Sequence, residues 1–221
     1  MWRACVFIYA RFPLYLLLTG AALALEAATY FIWRNDAALQ IALSLVPPIL
    51  TAAAYAITGQ DAGLGFEAFS RTARRFWLVI AMDFLTTTIV ALSFVSIGAG
   101  DVLTGVLFLA ATVSLAYADV YLVLHDEPDG LFFIRSVGRS TVVAWHGLEI
   151  IGRTISLVAL QLLPVLLSAQ LQIRLVAQHV PFASFWSAAP LGTIMVPVVS
   201  VLTALVYLDA TGHETKLTCG E

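Results

Sequence analysis

Ionisable residues inside long apolar segments are the residues of this 221-residue sequence that could do chemistry. Each costs about 2.5–3.5 kcal/mol at the centre of a membrane-spanning helix unless it is paired or hydrated. Such residues bind protons or cations in some proteins and fix helix packing in others. The set, which we call the predicted polar cluster, is Glu26, Asp83, Asp119, Glu149 and Arg153.

The spacing of these residues predicts that they lie at related depths. At a rise of about 1.5 Å per residue, Asp83, Asp119 and Glu149 each lie roughly 10 Å beyond the cytoplasmic end of a predicted span, and Glu26 lies roughly 21 Å from that end of the first span. Arg153 follows Glu149 by one helical turn, the favourable order for an ion pair.

Besides the interpretation that some of these residues simply face water or a partner, two interpretations of the cluster are open. In the first, a buried network around Arg153, which Glu26 also reaches, fixes helix packing. In the second, the excess of carboxylates binds a cation or relays a proton at an inner-leaflet cavity. Four acids around one base cannot all stay ionised in a dry site, so we expect at least one of Asp83, Asp119 and Glu149 to be protonated or exposed.

Arginines in the two longest cytoplasmic connections form a second candidate site. In each connection, aromatic or apolar residues recur at three- and four-residue steps and arginines occupy the opposite side, which predicts a short amphipathic helix at the headgroup level. In the second connection, Phe133 and Val137 form the apolar side. The arginines, which we expect to contact lipid headgroups or a partner protein, are Arg71, Arg74, Arg75, Arg135 and Arg139.

The sequence gives little support for a protease site, a metal site or nucleic-acid binding. Gly98-Ala99-Gly100-Asp101 matches the signature of intramembrane aspartyl proteases, but Asp83 and Asp119 are each 18 residues from Asp101, too far to share a proton. We therefore expect a glycine turn and a helix cap. The four histidines and the two cysteines lack metal-ligand spacing. We predict no catalytic residue, no metal and no cofactor, and a net charge of −3 argues against nucleic acid as a partner.

Composition decides which elements must hold these residues. The chain is 61% apolar and 11% charged, against roughly 45–50% and about 25% in soluble domains. This predicts an all-α polytopic membrane protein, a bundle of six transmembrane helices that forms one domain over residues 1–221. The predicted spans are 12–33, 37–57, 76–97, 102–124, 142–169 and 191–208.

The basic residues predict the orientation. With the N-terminus inside, eight lie on the cytoplasmic side and only Arg34 and Arg174 in outer loops, which is a clear positive-inside bias. Both termini of an inner (plasma) membrane protein are then cytoplasmic. The eight are Arg3, Arg11, Arg71, Arg74, Arg75, Arg135, Arg139 and Lys216.

The two arginine-rich connections also indicate a duplication. A unit of span, turn, amphipathic elbow and span occurs twice, about 65 residues apart. Both elbows are predicted at the cytoplasmic interface.

Three motifs along the chain resemble a known family. They are Gly65-x-Glu67-Ala68-Phe69-x-Arg71-x-x-Arg74-Arg75-Phe76-Trp77, then Ala118-Asp119-Val120-Tyr121-Leu122-Val123-Leu124 with Phe132-Phe133-Ile134-Arg135-Ser136-Val137-Gly138-Arg139, and Leu205-Val206-Tyr207-Leu208-Asp209. This pattern resembles the six-helix membrane domain that precedes the catalytic barrel in some glycerophosphodiester phosphodiesterases, which has stand-alone bacterial relatives of unknown function. The resemblance implies the fold and no activity, because the chemistry of those enzymes belongs to the barrel.

The expected function follows from these features. We expect a non-catalytic accessory or scaffold module that binds membrane lipids or another membrane protein. The alternative is a small transporter that couples to protons or cations through the inner-leaflet carboxylates.

Overall fold

The computed structural model describes residues 12–33, 36–61, 74–125 and 131–212, and within these ranges the regular structure is helical, with no strand. The predicted all-α class is confirmed for this part of the chain. The helices are α1 (Phe12–Trp33), α2 (Asp36–Asp61), α3 (Phe76–Gly98), α4 (Val102–Leu115), α5 (Ala118–Leu124), α6 (Phe132–Ala144), α7 (Leu148–Ala177) and α8 (Ala183–Ala210).

Five segments of the described chain are long and apolar enough to cross a membrane, which is compatible with a helical membrane protein. Helix α2 is continuous over 26 residues, and among its residues whose side chains the structure describes, the apolar segment is Leu45–Gly59. The structure therefore gives five candidate spans where the sequence predicted six. The five are Tyr15–Ile32, Phe76–Gly98, Val102–Leu124, Leu148–Ala177 and Ala183–Ala210.

The fifth predicted span starts at the wrong residue. The prediction placed one helix over 142–169, whereas α6 ends at Ala144 and α7 begins at Leu148. Gly147 has a φ of +88°, a backbone conformation that glycine adopts without the steric cost of a Cβ. The prediction missed this turn because it assigned the apolar Val142 and Val143 to the start of the span. In the structure they belong to the end of the preceding helix.

The fifth and sixth predicted spans are also separated by fewer residues than the prediction gave. The predicted spans end at 169 and resume at 191, whereas α7 continues to Ala177 and α8 begins at Ala183. The positive φ values of His179 and Phe182 mark the turn between them. Phe185, near the start of α8, is buried and stacks on Tyr30 with ring centroids 5.7 Å apart.

The described residues belong to two compact units. Unit 1 comprises Met1–Ala54 and Ala159–Leu202, and unit 2 comprises Tyr55–Val158 and Thr203–Glu221. Helices α2, α7 and α8 contribute residues to both units. Unit 1 has two small apolar clusters, one of Ala22, Val46 and Leu50 and one of Tyr30, Phe185 and Ala189.

Within unit 2, α3 and α4 form a tightly packed helical hairpin. Gly100, with a φ of +87°, makes the turn between the two helices. Gly105 lies so close to α3 that a Cβ on it would collide with the Ile97 side chain and press on the Ser93 carbonyl. The Ser93 hydroxyl donates a hydrogen bond to the Gly105 carbonyl at 3.2 Å. This contact requires glycine, because any side chain would separate the helices.

The fourth predicted span is interrupted between α4 and α5, at Ala116 and Tyr117. The Ser140 hydroxyl on α6 accepts a hydrogen bond from the Tyr117 N–H at 3.0 Å and donates one to the Ser114 carbonyl at 2.7 Å. The Trp145 indole N–H reaches the Ser114 hydroxyl at 2.9 Å. Backbone groups at the interruption are thus satisfied by side chains, as an apolar environment demands.

Helix α6 covers most of the second predicted elbow and has two distinct faces. Its buried face consists of Phe132, Ser136, Ser140 and Ala144, at four-residue spacing. The prediction that Phe133 and Val137 form the apolar side is therefore wrong by one residue, since the buried face begins at Phe132 and continues at Ser136. The prediction did not expect small polar residues such as Ser136 on the face that packs against the protein. The first predicted elbow lies mostly in residues 62–73, outside the described residues, so the duplication stays a prediction.

Candidate functional site

Asp83 on α3 and Asp119 on α5 form a carboxylate pair in unit 2, close enough for their charges to repel each other. Asp119 Oδ1 is buried without a hydrogen-bond partner. Tyr55 lies within electrostatic range of both carboxylates and forms a hydrogen bond with Thr203. Two like charges in apolar surroundings favour a state in which a proton or a cation neutralises one of them.

Unit 2 also contains two contacts between hydroxyl-bearing side chains of different helices. The Tyr117 hydroxyl and the Thr154 hydroxyl lie 2.8 Å apart. The ring of Tyr117 lies against that of Tyr207, whose hydroxyl is 2.8 Å from His125 Nε2. The sequence analysis missed these residues, because hydroxyls on different helices leave no periodic signal.

Arg153 lies between two acids on the surface of unit 2. Its guanidinium donates to Glu149 Oε1 at 2.6 Å and to Asp209 Oδ2 at 2.7 Å. The side chains of Arg153, Glu149 and Asp209 are 45%, 78% and 54% exposed. The predicted i, i+4 pair is present, and Asp209 near the end of α8 completes what we call the Arg153 triad.

The expectation of a buried network around Arg153 is therefore wrong. Glu149 and Arg153 lie in the first two turns of α7 and Asp209 lies in the last turn of α8, so all three are at helix ends rather than mid-helix. The exposure of Glu149 meets the expectation that at least one of the three depth-matched carboxylates is exposed. The described electrostatic interactions of Asp83 and Asp119 are with each other and with Tyr55, and none joins them to Arg153.

Glu26, the remaining member of the predicted polar cluster, is fully buried in unit 1. Its Oε2 accepts a hydrogen bond from the Thr193 hydroxyl at 2.7 Å, and its Oε1 is buried without a hydrogen-bond partner. Thr193 stands 167 residues away in the sequence, so only the fold reveals this contact.

The outward face of α6 combines arginines with large apolar side chains. Leu131, Ile134 and Val142 are exposed on the same face as Arg135 and Arg139. A shallow groove of about 460 Å³ runs along this face, lined by Arg135, Gly138, Arg139 and Val142. We call this surface the α6 basic face.

The three other predicted headgroup-binding arginines have different surroundings. Arg71 lies outside the described residues. Arg74 is exposed at the start of α3. Arg75 is half-buried, donates a hydrogen bond to the His125 carbonyl at 2.7 Å and lies over the Phe132 ring at 4.0 Å, so its guanidinium holds elements of unit 2 together.

The glycine turn at 98–101 has the geometry expected of a helix cap. The Asp101 carboxylate accepts a hydrogen bond from the Thr104 backbone N–H at 3.1 Å. Hydrogen bonds from the Thr104 side chain and backbone lower the pKa of Asp101. This confirms the capping role predicted in place of a protease site.

No protein family, curated protein or solved structure matches the chain. The resemblance to the membrane domain of glycerophosphodiester phosphodiesterases therefore stays a prediction, and function must be argued from the sites themselves.

Proposed function

We propose that this chain is a non-catalytic accessory or scaffold protein of the inner membrane that binds anionic lipid headgroups through the α6 basic face. The observation that carries the proposal is the composition of that face. Arginines that can reach phosphates stand beside exposed leucine, isoleucine and valine side chains that can enter the acyl boundary.

The two faces of α6 support this assignment. The opposite face, with Ser136 and Ser140, is buried against the rest of unit 2. The Ser140 hydroxyl forms hydrogen bonds with backbone groups at the interruption between α4 and α5. The buried face therefore holds the helix in place, and the α6 basic face stays exposed. A rigid helix with a basic and apolar outer side is suited to lie in the plane of a membrane surface.

Orientation supports the same proposal. We propose six spans, with α2 as the second, and both termini in the cytoplasm. This topology places α6 at the cytoplasmic leaflet, where anionic lipids attract basic segments. It also agrees with the excess of basic residues on that side and with the topology that the family resemblance implies.

The proposal predicts a charge-specific loss of lipid binding. A basic residue near an anionic membrane surface contributes about 1 kcal/mol, so Arg135→Gln or Arg139→Gln should each lower the preference for phosphatidylglycerol over phosphatidylcholine roughly fivefold, and the double variant roughly 30-fold. The measurement is native mass spectrometry of protein in nanodiscs that contain both lipids. Arg174→Gln, which changes an exposed arginine in the last turn of α7, is the matched control.

Two results would contradict lipid binding by α6. One is an unchanged lipid preference in the double variant with unchanged thermal stability. The other is a stoichiometric protein, co-purified with the wild type from its own membrane and lost in the double variant, which would make the α6 basic face a protein-binding surface.

The carboxylate pair favours a second candidate function, a proton- or cation-coupled transporter. An interrupted span beside a buried and unpartnered carboxylate oxygen is a feature of ion-binding sites in transporters. In proteoliposomes with an internal pH dye, Asp83→Asn and Asp119→Asn should abolish cation-driven proton flux, while Glu149→Gln should retain it. Equal flux in all four proteins, or none in the wild type, would exclude this function.

A further inference from the structure

No counter-charge from the described part of the chain pairs with the buried carboxyl of Glu26. It is 0% exposed, and Thr193 is the hydrogen-bond partner of its Oε2 while its Oε1 has none. None of the ion pairs among the described residues involves Glu26. A carboxylate in such surroundings is unstable unless a proton or a cation neutralises it.

The helices of unit 1 bring few other ionisable groups to this region. Helix α1 has only Tyr15 and Tyr30 besides Glu26, and the Ala183–Leu202 part of α8 has none. The unit 1 parts of α2 and α7 carry Asp36, at the first residue of α2, and Arg174, in the last turn of α7. The described contacts connect neither of these to Glu26.

The surroundings of Glu26 favour a neutral carboxyl group. The Thr193 hydroxyl donates a hydrogen bond to Oε2, and Oε1 is buried without a partner. Burying a neutral acid with one unpartnered oxygen costs less than burying a carboxylate in the same position.

We propose that Glu26 and Thr193 form a proton-binding site in unit 1. Glu26 accepts from the Thr193 hydroxyl through Oε2 and carries the bound proton on Oε1. The site gains and loses only that proton: the O–H bond of Oε1 breaks, its electron pair stays on the oxygen, and water accepts the proton. This site does not depend on the proposed lipid binding, because α6 belongs to unit 2.

A hydrophobic carbodiimide tests the site, because this reagent adds to protonated carboxyls in apolar surroundings and leaves ionised carboxylates unmodified. We treat the full-length protein in liposomes with dicyclohexylcarbodiimide from acid to alkaline pH and map the stable adduct by peptide mass spectrometry. We expect the adduct on Glu26 at neutral pH, with a yield that falls at high pH and does not change with added Na⁺ or K⁺. Glu149, an exposed carboxylate in an ion pair, serves as the internal control and should stay unlabelled.

Variants make the test specific. Glu26→Gln should lose the adduct, and Thr193→Val should label faster than the wild type, because the hydroxyl that favours the ionised form is gone. Glu149→Gln should label as the wild type does.

Two outcomes would overturn the proposal. Absence of label on Glu26 at any pH would show that it holds no exchangeable proton, and protection by Na⁺ or K⁺ would make it a cation site. Both outcomes are measured on the wild type, so they do not depend on the folding of any variant, and neither affects the lipid-binding result for Arg135 and Arg139.

Discussion

At the residue scale, the hydroxyl of Ser140 stabilises the interruption between α4 and α5 in unit 2. It accepts a hydrogen bond from the Tyr117 N–H and donates one to the Ser114 carbonyl, and the Ser140 side chain is fully buried. Without it, the Tyr117 N–H and the Ser114 carbonyl would face an apolar interior alone.

Ser140→Ala should therefore destabilise the protein by about 2 kcal/mol, because a buried backbone group without a partner costs about 1–3 kcal/mol. The free energy of unfolding in mixed micelles under a denaturing detergent measures the effect. Ser156→Ala is the control, since the exposed Ser156 hydroxyl bonds only the Gly152 carbonyl of its own helix. Equal effects of the two variants would mean that Ser140 does not maintain the interruption.

Asp101 gives a prediction about pH. Because hydrogen bonds from Thr104 lower its pKa in the folded protein, its contribution to stability is present above the ordinary pKa of aspartate and is lost as the pH falls through the lowered value. Asp101→Ala should lower the melting temperature slightly at pH 7, and the difference from the wild type should shrink at about pH 3. A difference that grows in acid would contradict the capping role.

Sequence distance decides which of these contacts could be predicted. The Asp101 cap and the Glu149–Arg153 pair span three and four residues, and local spacing was enough to predict both. The Glu26–Thr193 bond spans 167 residues and the Arg153–Asp209 pair spans 56. Such contacts depend on how helices pack, and a single sequence holds no direct record of that.

At the scale of elements, the α3–α4 hairpin depends on the absence of a side chain at Gly105. The spacing of apolar residues predicted both ends of α3 to within one residue and the start of α4, but not the end of α4 at Leu115, because the apolar pattern continues through the interruption. The turn at Gly147 was missed, because Val142, Val143, Ala144 and Trp145 extend the apolar pattern up to His146.

Gly105→Ala should destabilise unit 2 by about 1–2 kcal/mol, because the added methyl group displaces Ile97 and presses on the Ser93 backbone. Gly152→Ala, at a helical position with nothing within 4 Å, should instead stabilise the protein by roughly 0.5–1 kcal/mol through helix propensity. Unfolding in detergent measures both. Stabilisation by both variants would show that the hairpin tolerates a wider spacing.

At the scale of the whole molecule, the number of spans fixes the sidedness of the termini. Helix α2 is decisive, because it is the predicted span that is not among the five candidate spans of the described residues. With α2 across the membrane, both termini lie on the same side. With α2 at the surface, they lie on opposite sides.

The two native cysteines, Cys5 and Cys219, make this measurable without a new label site. A membrane-impermeant maleimide should modify both in inverted inner-membrane vesicles and neither in intact spheroplasts. Cys5→Ser and Cys219→Ser assign each signal. Modification of one cysteine from each side would exclude the six-span topology and, with it, the cytoplasmic placement of both ends.

The prolines inside the described helices have a mechanical consequence. Pro47, Pro48, Pro164, Pro190 and Pro197 all fall in unit 1, whereas the described helical segments of unit 2 contain none. Each proline leaves one carbonyl without its helical hydrogen bond and lowers the resistance of its helix to bending. Unit 1 should therefore be the more compliant part of the protein, and its amide hydrogens should exchange with deuterium sooner than those of unit 2.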